Sequence, residues 1–453
     1  MIADIHSNNL TLKLPITGTF EINWGDDTTD RTTQHTYTES GIYYIKITGT
    51  YSFAFSTAEN RIKTIISNAI GNVYRNCGAK TIVLPNNLTT ITANSFRGCN
   101  NLNTLILPKS VTSIGKDAIR ESKIKNLILN EGLKTIGDDF VYKVEIDSLF
   151  IPKSVTTIGT YMGYSSPIQK FIVDKESNSF SSENGILYDK NKTKLVKYPE
   201  GKLDGTYIMP DTVTTLADFS TFNTQIKNFI MSDNVTTIPN QTFGFNSKLE
   251  SIKLSNNLES IGAMAFYGCE KLKKLTLPDS VITINNQIIQ GSGVEVLTFG
   301  KGVKTLVPYF AYNALNLKEF KVDKENPNFD TINGILYNKD ITTLIKYPEG
   351  KTCETWVVPN TVTKFNDDAC TVCPVNMIIF PEDFTTIGNE CFYQAITKIL
   401  DFSKCKQVVT YGNDAFTSSY LDKVIVPYEL FDNYVTAWNN FSNKIIKSSE
   451  YYG

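Results

Sequence analysis

Side chains with the types and spacing that chemistry needs are scarce in this 453-residue sequence. His6 and His35 are its only histidines, and neither lies in the long repetitive part of the chain. A Ser/His/Asp triad or a histidine-based zinc site in the repeats is therefore excluded by inventory. His35, inside HTY, is expected to pack or hydrogen-bond in a turn. Cys370 and Cys373 form a CxxC, a spacing that alone would suit metal or redox chemistry. No second CxxC completes a four-ligand set. Laid over AMAFYGC, which ends at Cys269, the stretch DDACTVC puts Cys370 at an aromatic core position and Cys373 at the coil-closing one. Both are expected to be buried thiols. Asp26, Asp27 and Asp30 bring carboxylates together as calcium would require, but without the loop logic of an EF-hand, and they read as a solvated hairpin turn. Asp174 with Glu176 and Asp323 with Glu325 are acids beside a hairpin, at an offset of 149 (323 − 174). A glycosidase pair needs one shared cleft, which copies so far apart do not form locally. No catalytic residue, metal site or cofactor is expected, and the chain reads as non-enzymatic.

The elements that carry these residues repeat. LNTLILPKSVTSIGKDAI starts at Leu102, IKNLILNEGLKTIGDDF at Ile124 and IDSLFIPKSVTTIGTYM at Ile146, each 22 residues after the last. That period falls in the leucine-rich range. Leu105 and Leu107 alternate as a strand with one buried face does, and Pro108, Pro152 and Pro278 end such strands because proline cannot donate to the ladder. A second apolar pair, such as Val111 and Ile114, precedes a glycine (Gly115, Gly159, Gly262) that is expected to supply a turn. One coil cannot bury its own apolar face, so neighbours must supply the rest of the core. Two longer coils, DKESNSFSSENGILYDKNKTKLVKYPEG from Asp174 and DKENPNFDTINGILYNKDITTLIKYPEG from Asp323, match each other. Their GILY and KLVKYP or TLIKYP segments flank a polar turn and predict hairpins that project from the stack. At the end, Leu430, Tyr434, Val435 and Trp438 in YELFDNYVTAWNNF predict one amphipathic helix over the last coil.

Composition limits the partners. Hydrophobic residues are 41% and charged residues 20%, with a formal net charge of −2, values of a folded chain without a basic footprint for nucleic acid. No apolar run is long enough for a transmembrane helix, so membrane insertion is not expected, and the opening MIADIHSNNLTLKLP shows no secretion leader. The residue between the two buried ones of LxL points away from the core. It is Ile106, Ile128, Phe150, Ile172 and Ile230, then Lys253, Thr276, Thr298 and Lys321, then Ile379, Leu400 and Ile425. The first five form an apolar stripe and are the candidate partner-binding residues. Tyr161, Tyr164, Tyr309 and Tyr312, near coil ends, are candidates to stack on sugars, to anchor a protein partner or to fill core.

The repeat template, the NGILY coils and the closing VPYELFDNYVTAWNNFSNKI resemble the BspA-like leucine-rich-repeat family over roughly residues 58 to 448. The resemblance implies a right-handed, β-rich leucine-rich-repeat solenoid with short strands in each coil. It also implies a cell-surface or extracellular protein that adheres to a protein or glycan on a cell or matrix, with a structural or receptor-binding part of a phage particle as the alternative. INWGDDTT, HTY and SGIYYIKITG resemble a PKD-type β-sandwich, with Trp24, Gly25, Asp26, His35, Tyr37, Gly41 and Tyr43 at matching places and Asp27 where the motif usually has glycine. The expected organisation is a truncated PKD-like β cap at residues 1–56, a solenoid at 57–426 with hairpin coils at 174–205 and 323–354, and a helical cap at 427–453.

Overall fold

A computed structural model describes residues 1–5, 9–53, 62–66 and 74–453; His6 lies outside them. The fold is a β-solenoid with few helices. Its described residues form two compact units, one of residues 1–203 with 219–225 and one of 204–218 with 226–453.

In the first unit, each coil contributes a strand of the LxL segment and, after the proline turn, a two-residue strand. The two-residue strands pair in parallel from coil to coil, and the LxL strands pair in parallel two by two. Leu105 sits opposite Leu127 and Ile106 opposite Ile128, while Ile91, Ile114, Ile136 and Ile158 follow one another on the second face. Parallel pairing is forced because every coil returns the chain in the same direction. A continuous core of buried residues runs from Ala3 to Leu187. The second unit repeats this pattern, with Ile238, Ile261, Ile284 and Leu306 on the second face.

The third face of each coil is a turn, and it is built differently from the sequence expectation. Gly115, Gly159 and Gly262 do not occupy a left-handed backbone. A Cβ at Gly115 would lie 2.6 Å from Ala93 N, and one at Gly262 2.7 Å from Asn240 N. Glycine is kept there so that consecutive coils can approach. The left-handed positions belong to other residues, among them Asp117 and Glu121 (both φ 57°), then Asp139 (52°) and Lys143 (51°). Such a backbone costs about 1–2 kcal/mol for a residue with a Cβ. Here each strained residue donates its N–H to the next turn: Asp117 to Asp138 O, Glu121 to Tyr142 O, Asp139 to Thr160 O and Lys143 to Tyr164 O. The strain aims an otherwise orphaned donor along the stack, where it is satisfied.

The two long coils do not project. In the first, Phe180–Glu183, Ile186–Asp189 and Lys194–Lys197 form an antiparallel meander. In the second, Phe329–Ile332, Ile335–Asn338 and Thr343–Lys346 do the same. Ile186, Leu187 and Tyr188 are all buried, as are Ile335, Leu336 and Tyr337, so both faces of the central strand are covered. The hairpins were legible; their burial and the preceding strand were not.

A meander occupies the space of a coil but carries no turn to match its neighbours' third face. KYPEG fills that gap. In the first unit Lys197 donates to Phe219 O (3.2 Å) and to Glu200 (3.1 Å), and Glu200 accepts from Ser165 N–H (2.8 Å) and Asn223 (2.7 Å). In the second, Lys346 donates to Asp368 O and Glu349 (both 3.1 Å), and Glu349 accepts from Ala314 N–H (2.7 Å) and the Thr371 hydroxyl (3.1 Å). Both pairs are buried. Burial pushes the Glu200 and Glu349 carboxyls up, against the pull of the paired lysines.

The N-terminal strands, including Ile2–Ile5, Ile16–Asn23 and Gly41–Tyr44, pair antiparallel. Ile2–Ile5 also joins Ile62–Ile66, which pairs in parallel with Thr81–Val83 of the first complete coil. At the other end the cap is more than one helix. Phe431–Ala437 buries Tyr434, and Trp438 beyond it donates from Nε1 to Val409 O (2.7 Å). The chain then adds a strand, Ile445–Lys447, beside Lys423–Val426, and a short helix, Ser448–Tyr452.

Candidate functional site

Where LxL strands pair in register and parallel, as Ile106 with Ile128 and Phe150 with Ile172, their outward residues stack one strand spacing apart, about 4.8 Å. In the first unit Ile106 and Ile128 are 57% and 51% exposed, and Phe150 and Ile172, also paired, are 42% and 40% exposed. Val83, which sequence reasoning passed over, precedes them and is exposed too. Its signal was present in KTIVLP, where Val83 lies between Ile82 and Leu84 before Pro85. A cavity of about 420 Å³ opens at this end of the row, lined by residues that include Val83, Asn86, Thr104, Ile106 and Pro108. The ladder is bordered by hydrogen-bonding side chains, as where Asn126 donates to the Thr104 hydroxyl.

The second unit treats the same position in several ways. Ile208 is exposed and its partner Ile230, the fifth predicted residue, is half-buried. Lys253, Thr276, Thr298 and Lys321 then make the position polar. Val357 is exposed and Ile379 half-buried. Leu400 is a correction: it stands beside Ile378 and Val424 in the core, and the outward residue of that coil is Asp401. Reading from Ile396 set the register one residue early, and a one-residue slip exchanges the faces of a strand. Asp401 and Ile425 are buried, and the Tyr452 hydroxyl of the last helix bonds the Asp401 carboxylate.

The other candidates of the sequence do structural work. His35 stacks on Trp24 at 5.0 Å and bonds the Asp26 carboxylate at 2.6 Å. Burial acts to raise Asp26, but hydrogen bonds from Thr28 and His35 outweigh it and hold the carboxyl below its ordinary range. Asp30 accepts from Trp24 Nε1 and Thr32 N–H, while Asp174 and Asp323 cap turns by accepting from Glu176 and Glu325 N–H. Among the described residues no group of three or more His, Cys, Asp and Glu could hold a metal ion. Cys370 and Cys373 are fully buried, and all eight cysteines are free. Burial pushes the Cys269 thiol up to about 12, so it stays a thiol and donates to Phe243 O. Tyr161 and Tyr164 pack against Phe219 and Phe222, whereas Tyr309 and Tyr312 border an open cleft.

Among the described residues no helix is long and apolar enough to cross a membrane. The family model described as BspA type leucine rich repeat region matches residues 64–185, 206–294, 244–352 and 349–450. The PKD-like reading of residues 1–56 has no counterpart in that match. The chain is similar to the crystal structure of the pneumococcal vaccine antigen PcpA, at 26% identity and a TM-score of 0.50, over 68% of this chain and 72% of that one. It is also similar to a leucine-rich repeat protein of Eubacterium ventriosum, at 18% identity and a TM-score of 0.47, over 83% and 91% of the two chains. A third, from Bacteroides ovatus, has 18% identity and a TM-score of 0.42 over 88% and 95%. No curated protein matches the sequence significantly.

Proposed function

The chain belongs to the BspA-type leucine-rich-repeat family, and on that premise we propose that it is a non-enzymatic recognition protein that binds a protein on a cell surface or in an extracellular matrix. The observation that carries this reading is the uncovered ladder of Ile106, Ile128, Phe150 and Ile172; Ile230 belongs to the second unit and is half-buried. A soluble surface seldom aligns large apolar side chains without a partner to cover them. The likeness to a vaccine antigen supports a molecule met outside the cell. The second unit shows how this fold covers such a position, since Ile425 lies buried where the chain supplies its own last helix. Binding is then surface complementarity: a rigid stack presents a few aliphatic and aromatic anchors, and these supply most of the affinity. No bound cofactor enters this mechanism.

The test is the triple variant Ile128→Asp, Phe150→Asp and Ile172→Asp, screened with the unaltered protein against matrix proteins, glycans and whole cells. Capture of the protein partner is expected to fall by at least about tenfold, the usual consequence of removing central anchors, with the melting transition kept. Undiminished capture by the folded triple variant would sink the reading.

A further inference from the structure

The turns of the coils before and after the second long coil border a cleft whose chemistry the matching turns around the first do not share. Tyr161 and Tyr309 occupy the same left-handed turn position (φ 54° and 62°), and Phe219 and Asp368 another (φ 57° and 51°). The buried lysines confirm the match, since Lys197 donates to Phe219 O and Lys346 to Asp368 O. In the first unit the tyrosines are sealed by phenylalanines: Tyr161 stacks on Phe219 at 3.7 Å and Tyr164 meets Phe222 edge-on at 5.2 Å. In the second, Asp368 and Thr371 stand in those places. Asp368 turns inward to accept Tyr309 N–H at 2.6 Å, and Thr371 bonds Lys346 and Glu349. With Thr371 where the first unit has Phe222, Tyr312 reaches Gln394, 82 residues on, through its hydroxyl at 3.2 Å.

The result is a cavity of about 540 Å³ lined by Gln287, Tyr309, Tyr312, Glu390, Tyr393, Asp414 and Thr417. Tyr309 and Tyr312 stand edge to face at 5.6 Å, and Tyr393 lies 6.5 Å from Tyr312. No lysine, arginine or histidine is among these lining residues, and Glu390 and Asp414 make no ion pair among the described residues. Every side chain of the lining offers an acceptor oxygen, two of them formally charged, beside three electron-rich ring faces.

We propose that this cleft is a binding site for an arginine side chain of a protein or peptide partner. A guanidinium supplies five donors in a rigid plane, stacks on tyrosine, and is drawn to a carboxylate pair. A phosphate or an acidic sugar would meet like charge. A neutral sugar could stack on the rings but would leave both carboxylates uncompensated. The site lies in a different unit from the apolar ladder and stands or falls apart from it.

The full chain is titrated by NMR with a capped pentapeptide holding one arginine among glycines, and with its citrulline counterpart, which keeps the shape and loses the charge. Methyl glucoside is the neutral-sugar probe. Saturable shifts of the tyrosine signals with the arginine peptide, at least about tenfold weaker for citrulline, are expected, as is a similar loss in the double variant Glu390→Gln, Asp414→Asn. Both positions are partly or fully solvent-facing, so a melting curve like that of the parent should accompany the loss. Equal binding of the citrulline peptide, binding unchanged in the double variant, no saturation by the arginine peptide, or saturation by methyl glucoside instead would each overturn the assignment.

Discussion

The block from Tyr161 to Asn223 and the block from Tyr309 to Val372 are copies that have kept one set of residues and changed another. Kept are KYPEG, the buried lysine and glutamate, and the backbone groups they satisfy on the flanking turns. Changed are the residues facing the paired tyrosines, Phe219 and Phe222 in one and Asp368 and Thr371 in the other. Residues that replace a missing ladder of hydrogen bonds have few substitutes, because an orphaned buried N–H or C=O costs about 1–3 kcal/mol. Ring contacts near the surface are worth less and can be exchanged for another chemistry.

The largest effect should come from attacking what the copies share. Lys346→Met leaves Glu349 buried without its cation and Asp368 O without a donor; it should cost about 3–5 kcal/mol, read as a lowered urea midpoint. Lys197→Met should cost a similar amount. Removing both members discriminates the causes. If the pair mattered only as an ion pair, Lys346→Met with Glu349→Leu would recover most of the loss. Because both side chains also hold main-chain groups, Ala314 N–H among them, the double variant should remain impaired.

A second comparison uses a group only one copy has. Burial pushes Asp368 up to about 6, with Lys346 pulling down and Asp367 adding to the rise; Phe219 in the matching place cannot titrate. The folded protein holds this proton more tightly than the unfolded chain, so the group favours folding when protonated and that advantage is lost as pH rises through about 6. The shift corresponds to roughly 2–3 kcal/mol. Urea midpoints between pH 4 and 7 should therefore fall less steeply in Asp368→Asn than in the parent, and hydrogen exchange should place the difference in the second unit. An unchanged slope would show that Asp368 is not the group responsible.

Much of this was legible because stacking repeats its own pattern. The LxL strands, the closing cysteines and the outward stripe follow from alternation and period, which each coil states again. Where the pattern is interrupted, local reading failed for identifiable reasons. Leu400 went to the wrong face because its coil is offset by one residue. Gly115 looked like a turn former, whereas its constraint is the backbone of the coil beside it. The burial of Tyr188 and Tyr337 depends on cover from both sides, which alternation within one strand does not encode. The cleft at Tyr312 joins residues 82 apart through a turn that is missing, and no motif marks a missing turn.

The smallest effect converts one copy toward the other. Phe219→Asp removes the ring that Tyr161 stacks on at 3.7 Å, a contact worth about 0.5–1.5 kcal/mol beyond its area. The new carboxylate would stand in the place that Asp368 takes in the second unit. A net destabilisation of about 1 kcal/mol is expected, together with a changed environment for Tyr161 in its ring NMR signals. The pH slope should steepen as the first unit gains a buried acid. A loss as large as that of Lys197→Met would mean that the phenylalanine seal, and not the buried pair, holds the turns together, and the division between kept and exchanged residues would have to be redrawn.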